Sequence, residues 1–272
     1  MKKVFAMLLA VVMVLALSAC GQTATQKPAE ATATPQPATP APTEAPVETA
    51  APAAAPAVMS YAEFAAADLD TQVSVETYVQ AKQSWWDNKA TFYTQNEDGA
   101  IFLYNMPCTQ EEYDKLVPGT KIRVTGYKSA WAGEVELIDI SSFEILEGSF
   151  LAEPVDLGEV YGTDQLIDNM NRYFKLSDVT IVGKKDESTG EEKAFFYDWD
   201  NSGAEKKDAD LYFDATMNGK TYTFVVEYYL QNETTETYQA VQNLKIGDHV
   251  DLEGFLYWYN GPQPHITAVT VK

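Results

Sequence analysis

The stretch Gly119-Thr-Lys-Ile-Arg-Val-Thr-Gly126 returns near the C-terminus as Gly247-Asp-His-Val-Asp-Leu-Glu-Gly254, with the same internal spacing. Each copy alternates apolar and polar residues between its two glycines, with Ile122 and Val124 apolar in one, Val250 and Leu252 in the other. Alternation of period two gives a strand one buried face, and the closing glycine predicts a bend where the strand ends. The register continues beyond the glycines. The interval from Gly126 to Ile138 equals that from Gly254 to Ile266, and each ends in another alternating run. A chain patterned this way contains one small β unit twice.

The elements of the first copy come in a clear order. Ser60 caps a short helix up to Ala67, and Val73 to Lys82 alternate as a first strand. After a loop at Ser84 to Asn88, two strands flank Asn96-Glu97-Asp98-Gly99, whose Asp-Gly pair marks a hairpin. A helix over Glu111 to Leu116 precedes the glycine strand. A loop from Tyr127 to Gly133 then leads into a fifth strand, Glu134 to Leu146. The second copy repeats this plan with longer connections. It has a helix from Thr163 to Arg172, a strand from Leu176 to Gly183 and a charged loop from Lys184 to Lys193. A hairpin around Asn218-Gly219, a helix from Thr235 to Leu244, and strands Gly247 to Phe255 and Pro264 to Val271 complete it. Three strands, a helix, then two strands is the order of the OB-fold; an SH3-like barrel does not explain the helix between strands three and four. The segment from Tyr61 to Leu146 resembles the OB-type domains of bacterial secreted proteins, by order of elements rather than by any single motif.

The expected fold is therefore mainly β with short helices: two tandem OB-fold-like five-stranded Greek-key barrels behind a disordered Ala/Pro/Thr linker. The expected divisions are residues 1–20, 21–58, 59–147 and 148–272.

Lys2 and Lys3 precede an apolar run from Val4 to Leu17, shorter than the roughly 20 residues of a spanning helix. The run leads into Leu17-Ser18-Ala19-Cys20, which resembles the lipobox of bacterial lipoproteins. That resemblance implies a cleaved signal peptide and a lipid on Cys20. The adjoining tract to Val58, made of Ala, Thr, Pro and a few Glu, buries too little to fold and reads as a spacer. Together they predict a lipid-anchored chain on the outer side of a cell membrane, and the tract's composition favours a Gram-positive surface.

Lys and Arg number 19 against 40 Asp and Glu, a net charge of -21. Phosphate backbones are held by basic surfaces, so this balance argues against nucleic acid as a partner and suits cationic or calcium partners.

In OB-folds the loop after strand one and the loop between strands four and five flank the usual ligand face. Here they carry Trp85 and Trp86, and Trp131, with Tyr93 and Tyr104 on the sheet and Lys82, Asp87 and Lys128 at the rim. The second copy offers Tyr257-Trp258-Tyr259 in the matching loop and Trp199 in its first connection. Such rings serve as a stacking platform or pack one barrel on another, and both readings stand. Asp198, Asp200, Ser202 and Asp208 imitate part of a calcium loop, with Ala209 at the closing position, where an acid is expected; an ordinary acidic turn is the competing reading. Beyond that, no cofactor is indicated. Cys108 is either a buried thiol or one activated by a helix start. His265 is either a ligand contact or a surface residue, and His249 points outward from its strand.

No nucleophile, zinc or phosphate-loop pattern is present, so no enzymatic activity is expected. The functional expectation is a binding or adaptor module holding a small molecule, glycan or peptide. The alternatives are a scaffold packing on a cell-envelope protein and, more weakly, a hydrolase with a carboxylate site. Metabolic labelling with a clickable fatty acid should mark the wild type and leave the Cys20→Ser variant unlabelled; equal label on both removes the lipid assignment.

Overall fold

The computed structural model describes residues 56–200 and 205–272. Cys20, the lipobox and almost all of the Ala/Thr/Pro tract lie outside the described residues.

In the first barrel, β1 (Gln72–Lys82), β2 (Lys89–Gln95) and β3 (Ala100–Pro107) form an antiparallel meander. β4 (Thr120–Trp131) and β5 (Glu134–Ser149) pair antiparallel. β3 meets β5 in parallel at Phe102↔Glu136 and Leu103↔Leu137, and β4 returns to β1 along Gln72↔Tyr127 to Tyr78↔Lys121, closing the barrel. Alternation places Val73, Val75, Phe92, Leu103, Ile122, Val124 and Leu137 inside. Helix α1 (Tyr61–Ala66) starts on a capping box between Ser60 and Glu63, and α2 (Gln110–Lys115) on one between Thr109 and Glu112.

The second barrel repeats the circuit with β6 (Tyr173–Val182), β7 (Leu211–Met217), β8 (Lys220–Val226), β9 (His249–Phe255) and β10 (His265–Val271). β6–β7, β7–β8, β9–β10 and β9–β6 are antiparallel, and β8–β10 is the parallel contact at Val225↔His265. Helix α3 (Glu236–Gln242), capped by Thr235, lies between the third and fourth strands of this copy, and its Tyr238 and Val241 join the core.

The paired glycines serve two purposes. Gly119 and Gly247 hold φ of +92° and +93°, a conformation that suits glycine, and donate to Val79 O and Ile181 O at 2.7 and 2.9 Å. Gly126 and Gly254 are not strand-ending bends. They sit at register shifts between the last two strands of each barrel, where β4 and β5, and β9 and β10, approach too closely for a side chain. A Cβ on Gly126 would lie 2.8 Å from Ile138 O, and one on Gly254 would overlap the carbonyl of His265.

Three expected boundaries move. β4 runs unbroken through Trp131 and turns at Ala132 and Gly133, both with positive φ, because a two-residue hairpin needs such a pair. The helix after Thr163 is a 3-10 segment, Asp164–Asn169. The first strand of the second barrel begins at Tyr173, held from its start by pairing to Phe255.

A third apolar cluster, formed by Tyr93, Phe102 and Phe255 with Ala81, Tyr173, Leu230 and Tyr257 around it, joins the barrels. Tyr93 stacks on Phe255 at 4.7 Å, and Phe102 meets Tyr257 at 5.3 Å between centroids. Backbone and side-chain bonds frame these rings: Ser84 N to Tyr229 O at 2.7 Å, Asn260 N to Ala132 O at 2.6 Å and Tyr173 N to Gln95 Oε1 at 2.8 Å.

Because the clash at Gly254 is with backbone, Gly254→Ala should destabilise the chain by about 2 kcal/mol or more. Urea unfolding checks this; an unchanged midpoint would contradict the close approach.

Candidate functional site

The outward residues of β2, β3 and β5 form one face of the first barrel: Tyr93 on β2, Phe102 and Tyr104 on β3, Glu134 and Glu136 on β5. In an OB-fold this is the usual ligand face. Here the second barrel covers most of it. Tyr93 is 1% exposed and bonds through its hydroxyl to His265 Nδ1 at 2.6 Å, while the His265 ring stacks on Tyr257 at 4.4 Å. Tyr93 is thus an inter-barrel contact and not an open platform. His265 is neither a surface residue nor positioned for charge, since full burial pushes its pKa down to about 3.

At the rim of this contact the rings stay open. Tyr104, Trp131, Trp199, Tyr229 and Tyr259 are exposed. Trp131, Tyr104 and Tyr257 separate two pockets that share them. One, of about 930 Å³, adds Lys89, Asn105, Ser129, Glu136 and Asp139 from the first barrel. The other, of about 580 Å³, lies at the seam, with Gln83 and Phe102 of the first barrel facing Asp210, Tyr212, Glu227, Tyr259 and Trp199 of the second. The groove therefore runs along the seam of the two barrels, using the uncovered margins of both. A smaller pocket beyond Tyr104 holds Trp86 and Tyr229.

Burial governs the acids here. Desolvation pushes the carboxyls of Glu136 and Glu227 up to about 7, and Asp210, beside Glu227, is also raised. Glu227 accepts from Tyr229 N and Leu230 N, and Asp210 from Tyr228 N. Glu134 lies deeper, fully buried between the barrels; its Oε2 accepts from Trp258 N at 2.8 Å and burial raises its pKa to about 8.

Of the tryptophans expected to converge, Trp86 and Trp131 flank Tyr104 from different pockets. Trp85 turns inward, packs on the first core and donates from Nε1 to Cys108 O at 2.9 Å. Lys128 is not a rim cation: it is 6% exposed and its Nζ donates to Ala65 O and Ala67 O, finishing α1. Trp258 buttresses the β4–β5 turn, its ring against Gly133. Tyr257 and Tyr259 line the groove, Tyr257 half-buried and Tyr259 open. Lys82 donates to Tyr113 O at 2.5 Å and lies over that ring, away from these pockets. Asp87 is exposed in the turn beside Trp86.

Cys108 is buried, and burial lifts its thiol to about 11, so the helix start does not activate it. Asp198 and Asp200 share Lys206 Nζ at 2.7 and 3.5 Å, and Asp208 accepts from Tyr228 Oη at 2.7 Å. Ser202 lies outside the described residues. His249 is exposed beside Asp178.

Glu134, Glu136, Asp210 and Glu227 are not singled out by the sequence. The signal for Glu134 and Glu136 is their alternation with Val135 and Leu137, which turns them to the outer face; nothing local marks that face as covered.

Neither a protein-family model nor a curated protein matches the sequence. Among solved structures, the tetrameric p202 HIN2 domain is 10% identical over 75% of this chain and 96% of its own, with a TM-score of 0.33. A murine DNA-binding protein bound to double-stranded DNA is 11% identical over 73% and 94%, with a TM-score of 0.33. A Replication Protein A heterotrimer bound to single-stranded DNA is 9% identical over 79% and 69%, with a TM-score of 0.25. Two of these neighbours are DNA-bound, which corrects two expectations: the exclusion of nucleic acid on charge, and the reading of an extracytoplasmic adaptor or scaffold for a small molecule, glycan, peptide or envelope protein.

Glu134 Oε1 and Asn171 Oδ1 are both buried acceptors without a donor, and burial favours the protonated form of Glu134 over the opposing hydrogen bond from the Asn171 side chain. A raised pKa means the protonated form is favoured by folding, so the contribution of Glu134 to stability is fully present below about 4.5 and is lost as pH rises to about 8. Glu134→Gln should flatten part of this decline in thermal melts taken across that range; an unchanged slope contradicts the buried acid.

Proposed function

We propose that the tandem barrels hold unpaired nucleobases, stacked along the groove where the second barrel meets the first. The observation that carries this reading is the row of exposed rings, Trp199, Tyr259, Trp131 and Tyr104, spaced across two adjoining pockets. Aromatic rings left open in a groove offer stacking energy of about 1–3 kcal/mol per base, and every base has a face to stack. The DNA seen in the neighbours supplies the ligand class to test; the support lies in this chain's own side chains.

The net charge of -21 dictates how such a strand lies. Among the described residues lining the two pockets, Lys89 is the one lysine, and no arginine joins it. Bases face the groove, and phosphates face solvent. Binding then rests on stacking, with little counterion release, unlike recognition through a basic surface. The raised carboxyls fit the same picture, because Glu136 and Glu227 titrate near 7 and shed charge just below it.

The N-terminus adds an address to this reading. The lipobox resemblance at Leu17 to Cys20 supports a lipid tether on Cys20, and the Ala/Thr/Pro tract supports a spacer that carries the barrels away from a membrane surface.

Titration with a short oligothymidylate, followed by tryptophan fluorescence, tests the groove. Trp131→Ala or Trp199→Ala should weaken binding by about tenfold or more. The slope of log affinity against log salt should be about -0.7 or shallower, the value for one phosphate neutralised. Affinity should rise as pH falls through about 7, since neutral Glu136 and Glu227 repel phosphate less. Absence of binding by the wild type, or binding indifferent to both tryptophans, overturns the reading.

A further inference from the structure

Glu136 has no role in the fold that its surroundings explain. It sits on β5 between the inward Val135 and Leu137, is 7% exposed, and lines the larger pocket with Trp131, Tyr104 and Tyr257. Among the described residues no donor reaches its carboxyl, in contrast to Glu134, which accepts from Trp258 N. Lys89 lines the same pocket, but the described ion pairs do not include a bond between them. Its oxygens, unlike Glu134 Oε1, are not sealed from solvent; they open on the pocket and take their donors from what fills it, water or the N–H groups of a ligand.

Resting on the reading of the groove as a nucleobase site, we infer that Glu136 makes the larger pocket selective for guanine, its carboxylate accepting from the N1–H and N2–H of one base. Edge chemistry separates the bases. A carboxylate offers two acceptor oxygens in one plane and no donor. Guanine presents two N–H donors side by side on its pairing edge. Adenine and cytosine present one donor beside an acceptor, and thymine one donor between two acceptors. Only guanine satisfies both oxygens at once. Trp131 and Tyr104 supply faces on which the same base stacks, so the ring and its edge are engaged together.

The test compares three oligonucleotides that differ at one central position within a thymidine context: deoxyguanosine, deoxyinosine, which lacks the N2 amine, and thymidine. Wild-type chain should bind the guanine strand about tenfold or more tightly than the thymidine strand, with inosine between them. Glu136→Gln, whose amide presents a donor where an acceptor is needed, should erase the ranking, with the thymidine strand bound at least as tightly as by the wild type once the charge is gone. Equal wild-type affinity for all three strands overturns the guanine assignment and leaves base stacking intact. A ranking that survives in Glu136→Gln overturns the role of this residue. Failure of the wild type to bind any strand removes the groove reading and this inference with it. The guanine-to-inosine comparison is made on the wild type and so does not depend on how the variant folds.

Discussion

The docking of one barrel on the other turns on the contact of Tyr93 with Phe255 and His265. A ring stacked on a ring contributes about 0.5–1.5 kcal/mol beyond burial, and the buried hydroxyl of Tyr93 must find a partner at this depth. It finds His265 Nδ1, which burial keeps neutral. The whole groove depends on this placement. Tyr257 is oriented by its stack on His265, Trp131 and Tyr104 stand at the edge of the contact, and Glu134 and Glu136 are desolvated because the second barrel lies over their strand.

The duplication is readable because its cause is local. Strand alternation, helix caps, two hairpin dipeptides and the paired glycines all act over a few residues, and each points to the element it makes. The closing glycines read as bends because a sequence does not show two strands crossing too closely for a Cβ; Gly126 and Gly254 report on Ile138 and His265, farther along the chain. The 3-10 segment at Asp164–Asn169 is hidden for a related reason. Capping by Thr163 is compatible with either kind of helix, and the choice is made where Asn171 and Arg172 bond to Leu256 of a distant strand end.

The candidate site is readable in part. Placing rings in the two ligand-flanking loops finds Trp86, Trp131, Trp199 and Tyr259, all exposed. It fails at Tyr93, Trp85 and Lys128, whose roles are packing and capping. Those roles depend on the groups opposite them: Phe255, Cys108 O and the end of α1. The acids escape notice because strand alternation alone sends them to the outside, where carboxylates are ordinary. Only the second barrel's arrival makes that outside an interior.

A duplicated barrel begins with two equivalent outer faces, and here Tyr93 and Phe102 of the first copy pack on Phe255, Tyr257 and His265 of the second. The first copy's face has become a socket for the second, so the copies are no longer interchangeable, and the symmetry seen in the glycines is architectural only. The divisions drawn by the repeat therefore differ from the units in which the protein can be handled. Cutting the chain between Ser149 and Val155 would uncover Tyr93, Phe102 and Phe255 together, leaving each half with a sticky aromatic patch in place of a working surface.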